Sequence, residues 1–284
     1  MWKILFLVLV FFVSGCSTNI KQNDTERGYH LDKSKISKSQ DARMRHLIIH
    51  YTAVDDSESL ELLTRGQVSA HYLIPSRPEF INGKPVVLQL VPEGKRAWHA
   101  GVSDWGNRSS INDTSIGIEI VNKGFTEDML GEATWYPFSE NQTYTLSLLA
   151  KDIVGRNNIP PENVIGHSDI SPLRKSDPGP LFPWKKLAEL GIGAWPDEYT
   201  VKKYLAGRSL GLPSSVSSIQ NILSQYGYSK IPQSGVLDFE TRKTISSFQM
   251  HFRPNDISGN PDAETESIAK ALLEKYKGIE SSIL

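Results

Sequence analysis

The chain has 284 residues, 39% of them hydrophobic and 22% charged, which is enough apolar material for real cores and a length that suits about two domains. Lys plus Arg number 31 against 32 Asp plus Glu, a net charge of -1, so nothing suggests the basic face that a nucleic-acid partner needs. The single cysteine, Cys16, excludes a disulfide framework, a multi-cysteine zinc site and a catalytic cysteine in the body of the protein.

Residues 1–15 carry one positive charge, Lys3, and then an apolar run from Ile4 to Val13. That run is too short to span a bilayer as a helix, which takes roughly 20 residues, but it suits the core of a secretory signal. It ends in Val13-Ser14-Gly15-Cys16, which resembles the lipobox of bacterial lipoproteins. The resemblance implies that Cys16 is acylated and anchors the mature chain in a membrane. Ser17 follows, where the inner-membrane retention signal of such lipoproteins has Asp, so the expected location is the outer membrane, facing the periplasm. Residues 16–42 are polar, rich in Lys and Ser, and show no apolar period, as in a flexible tether.

Globular sequence begins at Arg45-His46-Leu47-Ile48-Ile49-His50-Tyr51, which reads as a strand of a sheet interior. Ser57 to Arg65 suits a short helix, and Val68–Ile74, Val86–Val91 and Ser115–Val121 read as further strands. Leu146, Leu149, Ala150, Ile153 and Val154 form one helical stripe, with Ser139 and Gln142 spaced as a capping box. Asn163 to Gly166 completes the pattern as a strand. Strands interleaved with helices point to an α/β layer domain over residues 43–205. Beyond it, Ile219, Ile222, Leu223 and Tyr226 form a helical stripe ending at Gly227. Ile245, Phe248 and Phe252 form a second, capped by Asp238, and Ile268, Leu272 and Tyr276 a third, opened by Asn260-Pro261 and closed by Gly278. Residues 210–284 are therefore expected to make a small, separate three-helix domain.

Of the seven histidines, His46 and His50 share a face of one strand but lie roughly 13 Å apart, at about 3.3 Å per residue, so they cannot share a metal. His50, at the strand end where loops gather, is the better ligand candidate. The segment VIGHSDISPLRKSDPGP, residues 164–180, places His167 at a strand exit and Lys175 and Asp177 in a loop stiffened by proline and glycine. By themselves these residues fit a metal loop or a solvated surface loop equally well. Glu119 lies between Ile118 and Ile120 in an apolar strand, an expensive place for a carboxylate that is not used or paired.

His50-Tyr51-Thr52-Ala53, Ser69-Ala70-His71-Tyr72, the stretch from Ala97 to Ile120, His167-Ser168-Asp169-Ile170 and Arg174-Lys175-Ser176-Asp177-Pro178 together resemble the zinc-dependent N-acetylmuramoyl-L-alanine amidases, specifically their outer-membrane lipoprotein type. The likeness covers most of residues 43–190. It implies a mixed central sheet flanked by helices, of the kind found in peptidoglycan recognition proteins, and one zinc ion per chain. Carried over position by position, the family's zinc ligands fall on His50, His167 and Asp177, its catalytic glutamate on Glu119 and its lysine on Lys175. Phage lysozyme-type amidases and peptidoglycan recognition proteins use a cysteine as third ligand and a tyrosine in the strand before His71. Asp177 and Ala70 stand there in this chain, which shifts the proton work to Glu119. Two imidazoles and a carboxylate leave zinc an open position for water, as a catalytic site needs.

Trp98, His99 and Arg108 are candidates for substrate contacts, Trp98 by stacking and Arg108 by meeting a stem-peptide carboxylate, and a structural role suits each as well. The stretch from Tyr226 to Phe252 resembles the helical peptidoglycan-binding repeat found beside wall hydrolases, through Gly235, Asp238, Thr241 and Phe248-Gln249. The implied activity is hydrolysis of the amide between (anhydro-)N-acetylmuramic acid and L-alanine in wall turnover, by a monomer whose partners are peptidoglycan, muropeptides and a membrane. The alternative is a non-catalytic recognition protein on the same fold. An iron oxygenase also uses two histidines and a carboxylate, but it presents the first histidine and the carboxylate one residue apart, and Asp177 lies ten residues after His167. A serine hydrolase is disfavoured, since no Gly-x-Ser-x-Gly elbow occurs.

Overall fold

The computed structural model describes residues 28–280, so the signal segment, Cys16 and the start of the tether lie outside the described residues. Residues 28–41 belong to a first unit, and there they are exposed and hold no helix or strand. The second unit runs from Ala42 to the C-terminus.

Its first strand, β1 (His46–Tyr51), is followed by helix α1 (Asp56–Arg65), whose first turn is capped by the Asp55 carboxylate accepting from the Glu58 amide. Four short strands come next: β2 (Tyr72–Ile74), β3 (Phe80–Ile81), β4 (Lys84–Pro85) and β5 (Leu88–Gln89). A tight hairpin of β6 (Asp104–Trp105) and β7 (Arg108–Ser109) precedes the long strand β8 (Ser115–Ile120). A second hairpin, β9 (Phe125–Glu127) and β10 (Ala133–Trp135), leads into α2 (Glu140–Asn157), and β11 (Val164–Gly166) runs directly into the short helix α3 (His167–Ile170). The remaining helices are α4 (Trp184–Glu189), α5 (Glu198–Leu205), α6 (Val216–Tyr226), α7 (Phe239–Phe252) and α8 (Ala263–Lys277).

The main sheet has the order β11-β1-β8-β2-β5, parallel throughout except at the antiparallel edge strand β5. Parallel strands covered on both faces read as continuous apolar runs, and Leu47, Ile48, Ile49, Ile116 and Ile118 are all fully buried. Leu47, Ile49, Ile116 and Ile118 pack with Leu146, Ala150 and Ile153 of α2 on one face. Ile48 and Ile165 point to the other face. The capping box of α2 is present, with Ser139 Oγ accepting from the Gln142 amide and Gln142 Oε1 accepting from the Ser139 amide.

The expected third capping position moves to Asp262, whose carboxylate accepts from the Thr265 amide, because Asn260-Pro261 belongs to the preceding turn. The strand expected over Val68–Ile74 shrinks to β2, since Ser69 pairs with the Trp98 loop instead of a neighbouring strand.

The three C-terminal helices form as expected, but they share one core with the α/β layer. Ile48, Trp105, Ile165 and Ile170 pack in the same cluster as Ile219, Tyr226, Phe248 and Leu272. Trp105 is the wedge between them, edge-on to Tyr226 and Tyr228 at centroid distances of 6.0 and 5.1 Å. Gly227 is needed there, since a Cβ would fall 2.5 Å from the Trp105 ring. Helix α5, expected with the α/β layer, binds α8 instead, with Tyr204 Oη donating to Glu274 at 2.5 Å and Lys203 Nζ at 2.9 Å from the same carboxylate. Helical stripes reveal that a face is buried but not what buries it.

Burial, with smaller contributions from Arg108 and Arg45, pulls His46 from its ordinary value of 6.5 down to about 4, against a hydrogen bond that its ring donates to the Thr114 backbone. A histidine held neutral by the fold leaves stability intact above about pH 6.5, and that stability is lost as pH falls toward 4 while the unfolded chain takes up the proton. His46→Asn should therefore lose less stability between pH 7 and pH 5 than the parent, by about 2 kcal/mol. Urea unfolding of the metal-free proteins at both pH values measures it, and equal losses would refute it.

Candidate metal centre and active site

The parallel register builds the site at the carboxyl ends of the strands, where ligands of open α/β sheets gather. His46, Ile48 and His50 of β1 stand opposite Ser115, Gly117 and Glu119 of β8, so His50 and Glu119 emerge side by side from one face. Ile49 pairs with Gly166 on the other flank, which brings His167, the next residue after β11, level with His50. Asp177 returns over both on a loop whose Asp177–Pro178 peptide bond is cis.

His50, His167 and Asp177 are all buried, and their ligand atoms meet in a triangle. His50 Nδ1 lies 3.0 Å from His167 Nδ1 and 3.0 Å from Asp177 Oδ2, and His167 Nδ1 lies 3.1 Å from that same oxygen. His167 Nε2 is 3.1 Å from the Ala100 carbonyl, which only accepts, so Nε2 carries the proton. In neutral His167 the other nitrogen, Nδ1, is then a bare lone pair aimed at a carboxylate oxygen. Two acceptors at that distance need a positive charge between them. One proton can serve a single edge of the triangle, whereas one metal ion serves all three. The donor set, two imidazole nitrogens and one carboxylate oxygen with no thiolate, fits a catalytic zinc.

The electrostatics agree. Burial and the facing His167 pull His50 down to about 4, so it is neutral at pH 7, the state a ligand requires. Burial opposes the charge on Asp177, yet His167 and His50 together hold its carboxyl far below the usual range.

Glu119 and Lys175 line the same cleft, of about 350 Å³, with Tyr51, His99, His167 and Asp177. Glu119 Oε2 is buried and has no hydrogen-bond partner. Burial first, then the nearby Asp177, push its carboxyl up to about 8, with Lys175 pulling the other way. An unpartnered carboxyl tuned close to neutral pH is the behaviour expected of a proton shuttle.

His99, expected at the substrate, lines the cleft with both ring nitrogens already partnered. Its Nδ1 lies 3.0 Å from His50 Nε2 and its Nε2 3.2 Å from Ser115 Oγ, so both ring nitrogens are used behind His50. The ring lies flat on β8 where Gly117 leaves room, since a Cβ there would fall 2.5 Å from it. Burial, then the neighbouring His50, hold His99 well below its ordinary value, so it stays neutral and orients the His50 ring. Trp98 is 55% exposed and carries the Arg96 guanidinium on its face at 4.0 Å, with its amide donating to Ser69 Oγ in the cleft wall. Arg108 lies outside the cleft, beside His46 at the far end of β1. Sequence reasoning missed two supports. Tyr51 Oη and Ser176 Oγ pair at 3.1 Å across the loop, and Arg174 Nη2 donates to the carbonyls of Ala100 and Val102 at 3.1 and 3.0 Å. Both pairs join segments far apart in the chain, and no local pattern announces them.

Comparison with known proteins fits this geometry. Residues 40–180 match the Amidase_2 family of N-acetylmuramoyl-L-alanine amidases, and residues 213–268 match a family of putative peptidoglycan-binding domains. The chain is 50% identical over 251 residues to the N-acetylmuramoyl-L-alanine amidase AmiD of Escherichia coli, covering 88% of this chain and 90% of that protein. A solved complex of AmiD from E. coli with the substrate anhydro-N-acetylmuramic acid-L-Ala-D-gamma-Glu-L-Lys superposes with a TM-score of 0.83, covering 88% of this chain and 96% of that one. AmpDh3 of Pseudomonas aeruginosa, in complex with anhydromuramic pentapeptide, superposes with a TM-score of 0.77 at 43% identity, covering 87% of this chain and 98% of that one. With this identity sustained over most of both chains, the protein belongs to the N-acetylmuramoyl-L-alanine amidase family.

Proposed function

We propose that this chain hydrolyses the amide between (anhydro-)N-acetylmuramic acid and the L-alanine of peptidoglycan stem peptides, with one zinc ion held by His50, His167 and Asp177, in turnover and recycling of the cell wall. The observation that carries the proposal is the triangle of ligand atoms with an unpartnered, buried Glu119 oxygen in the same cleft. Zinc held there supplies a Lewis acid that acidifies water and polarises the scissile carbonyl. Glu119 Oε2 takes the proton of the attacking water and returns it to the departing alanine amine. Lys175, two residues before a ligand in a stiff loop, sets a positive charge where the oxyanion of the tetrahedral intermediate develops. His99 and the Ala100 carbonyl hold the two imidazoles by their outer nitrogens, so both rings keep their orientation through the cycle. In this reading residues 43–205 carry the chemistry and residues 210–284 add affinity for the wall, with Trp98 as a stacking contact at the mouth of the cleft.

The lipobox-like Val13-Ser14-Gly15-Cys16 and the exposed, structureless residues 28–41 support a lipid anchor with a tether, holding the enzyme at the outer membrane facing the periplasm. Among the described residues no helix is long and apolar enough to cross a membrane. Cys16→Ser should leave amidase rate on soluble muropeptides unchanged while releasing the protein from membrane fractions. A Cys16→Ser protein that still sediments with outer membranes would remove the anchor from this proposal.

Glu119→Gln keeps the size of the side chain but cannot accept a proton. It should bind near-stoichiometric zinc while losing roughly two to four orders of magnitude in rate. Asp177→Ala removes a ligand, so zinc content and rate should fall together, and excess zinc should restore part of the activity of this variant alone. Metal analysis beside product mass analysis of digested muropeptides separates the cases. Loss of zinc in Glu119→Gln would mean that Glu119 is a ligand, and full activity would mean that it is only a buried structural carboxylate.

A further inference from the structure

Asp169 takes no part in the chemistry described above, yet it is 1% exposed and sits two residues after His167. Its Oδ2 accepts from the Gly166 amide at 2.7 Å and so closes the turn on which His167 stands. The same turn holds the other end of the metal loop, because the Ser168 amide donates to the Asp177 carbonyl at 2.8 Å. Gly166 itself is pressed against that loop, where a Cβ would lie 2.6 Å from Pro178 Cδ.

The remaining partners of Asp169 come from the C-terminal helical region. Tyr228 Oη donates to Oδ1 at 2.6 Å and His251 Nδ1 to Oδ2 at 2.8 Å, from 59 and 82 residues downstream. His251 cannot swing away, since its ring is stacked between Trp184 at 3.8 Å and Phe252 at 3.9 Å. With either donor removed, Asp169, a buried carboxylate, has one protein hydrogen bond fewer. The carboxylate then gains by rotating toward whatever donor remains, which loosens its hold on Gly166.

We infer that Tyr228 and His251 are positioning residues of the metal centre, acting through Asp169 to hold the His167 turn and the Asp177 main chain where both ligands reach one ion. The inference rests on the zinc reading above and gives the peptidoglycan-binding-like region a part in catalysis distinct from attachment to the wall.

The test uses the full chain and three measurements: the zinc dissociation constant by chelator competition, the visible spectrum of the cobalt-loaded protein, and kcat and KM on a soluble anhydro-muropeptide. Tyr228→Phe deletes only the hydroxyl, and His251→Phe keeps a flat ring for stacking but no donor. Each should weaken zinc binding by about tenfold or more, alter the cobalt spectrum and lower kcat at constant KM. His251→Asn, which returns a donor near the Nδ1 position, should recover part of the loss. Leu272→Ala serves as the control, because it opens the shared core without touching Asp169 and should lower Tm while leaving zinc affinity as it was. Parental zinc affinity and an unchanged spectrum in both Tyr228→Phe and His251→Phe would overturn the inference. So would an equal loss of zinc in Leu272→Ala at a matched fall in Tm, since that would be general destabilisation. A parent chain that binds no zinc would bring down the zinc reading itself, before any variant is compared.

Discussion

Two histidine nitrogens and a carboxylate oxygen point at one another across 3.0–3.1 Å on buried side chains at the floor of the cleft, and most of the surrounding structure is organised by that fact. Buried acceptors do not gather unaided, because each has given up hydration for a neighbour that repels it. What holds them is a second ring of donors and acceptors at their backs. His99 stands behind His50, the Ala100 carbonyl behind His167, and the Ser168 amide behind the main chain of Asp177. Two of these supports come from the 97–102 loop and the third from the turn after β11, so the candidate site is also the place where the sheet, the 97–102 loop and the 166–178 segment are fastened together.

Small residues make that convergence possible. Gly117 lets the His99 ring lie on β8 between Ser115 and His50, and Gly166 lets the Pro178 ring close against the end of β11. In each case the missing side chain is what allows a ligand or its support to reach the centre. An alanine at Gly117 would collide with the His99 ring and move the residue that sets the angle of the His50 ring.

The part of the site that was legible in the sequence is the part whose chemistry is carried by residue type. His50 at a strand end and Glu119 in an apolar strand stand out by their own chemistry, whereas His167 and Asp177 fit a solvated loop equally well until the resemblance to the amidases singles them out. Burial of the strands was readable for the same reason, as was the capping box at Ser139. Arg108 and His99 show the limit. Their types suit substrate binding, but Arg108 stands near His46 and outside the cleft, and His99, which lines the cleft, has both ring nitrogens partnered by His50 and Ser115. The packing of the C-terminal helices against the α/β layer is hidden on a similar point. Their apolar stripes were plain, but Ile48, Trp105 and Ile170, which cover them, belong to segments whose own patterns only say that they too are buried.

Three carboxylates lie close together at this end of the sheet, and their partners alone separate their work. Asp177 has two imidazole nitrogens at 3.0 and 3.1 Å, which suits an ionised ligand. Asp169 has a tyrosine hydroxyl, a histidine N–H and a main-chain amide, a set of donors that fixes its position and leaves no acceptor atom open for chemistry. Glu119 has an oxygen with no partner, and burial with a neighbouring carboxylate pushes it up to about 8. Groups of one chemical type acquire different duties when their surroundings drive their proton affinities apart. Here the surroundings differ because β8 ends in open cleft, whereas the turn after β11 ends against α7. The layer order of the fold therefore decides which of the three is free to move a proton.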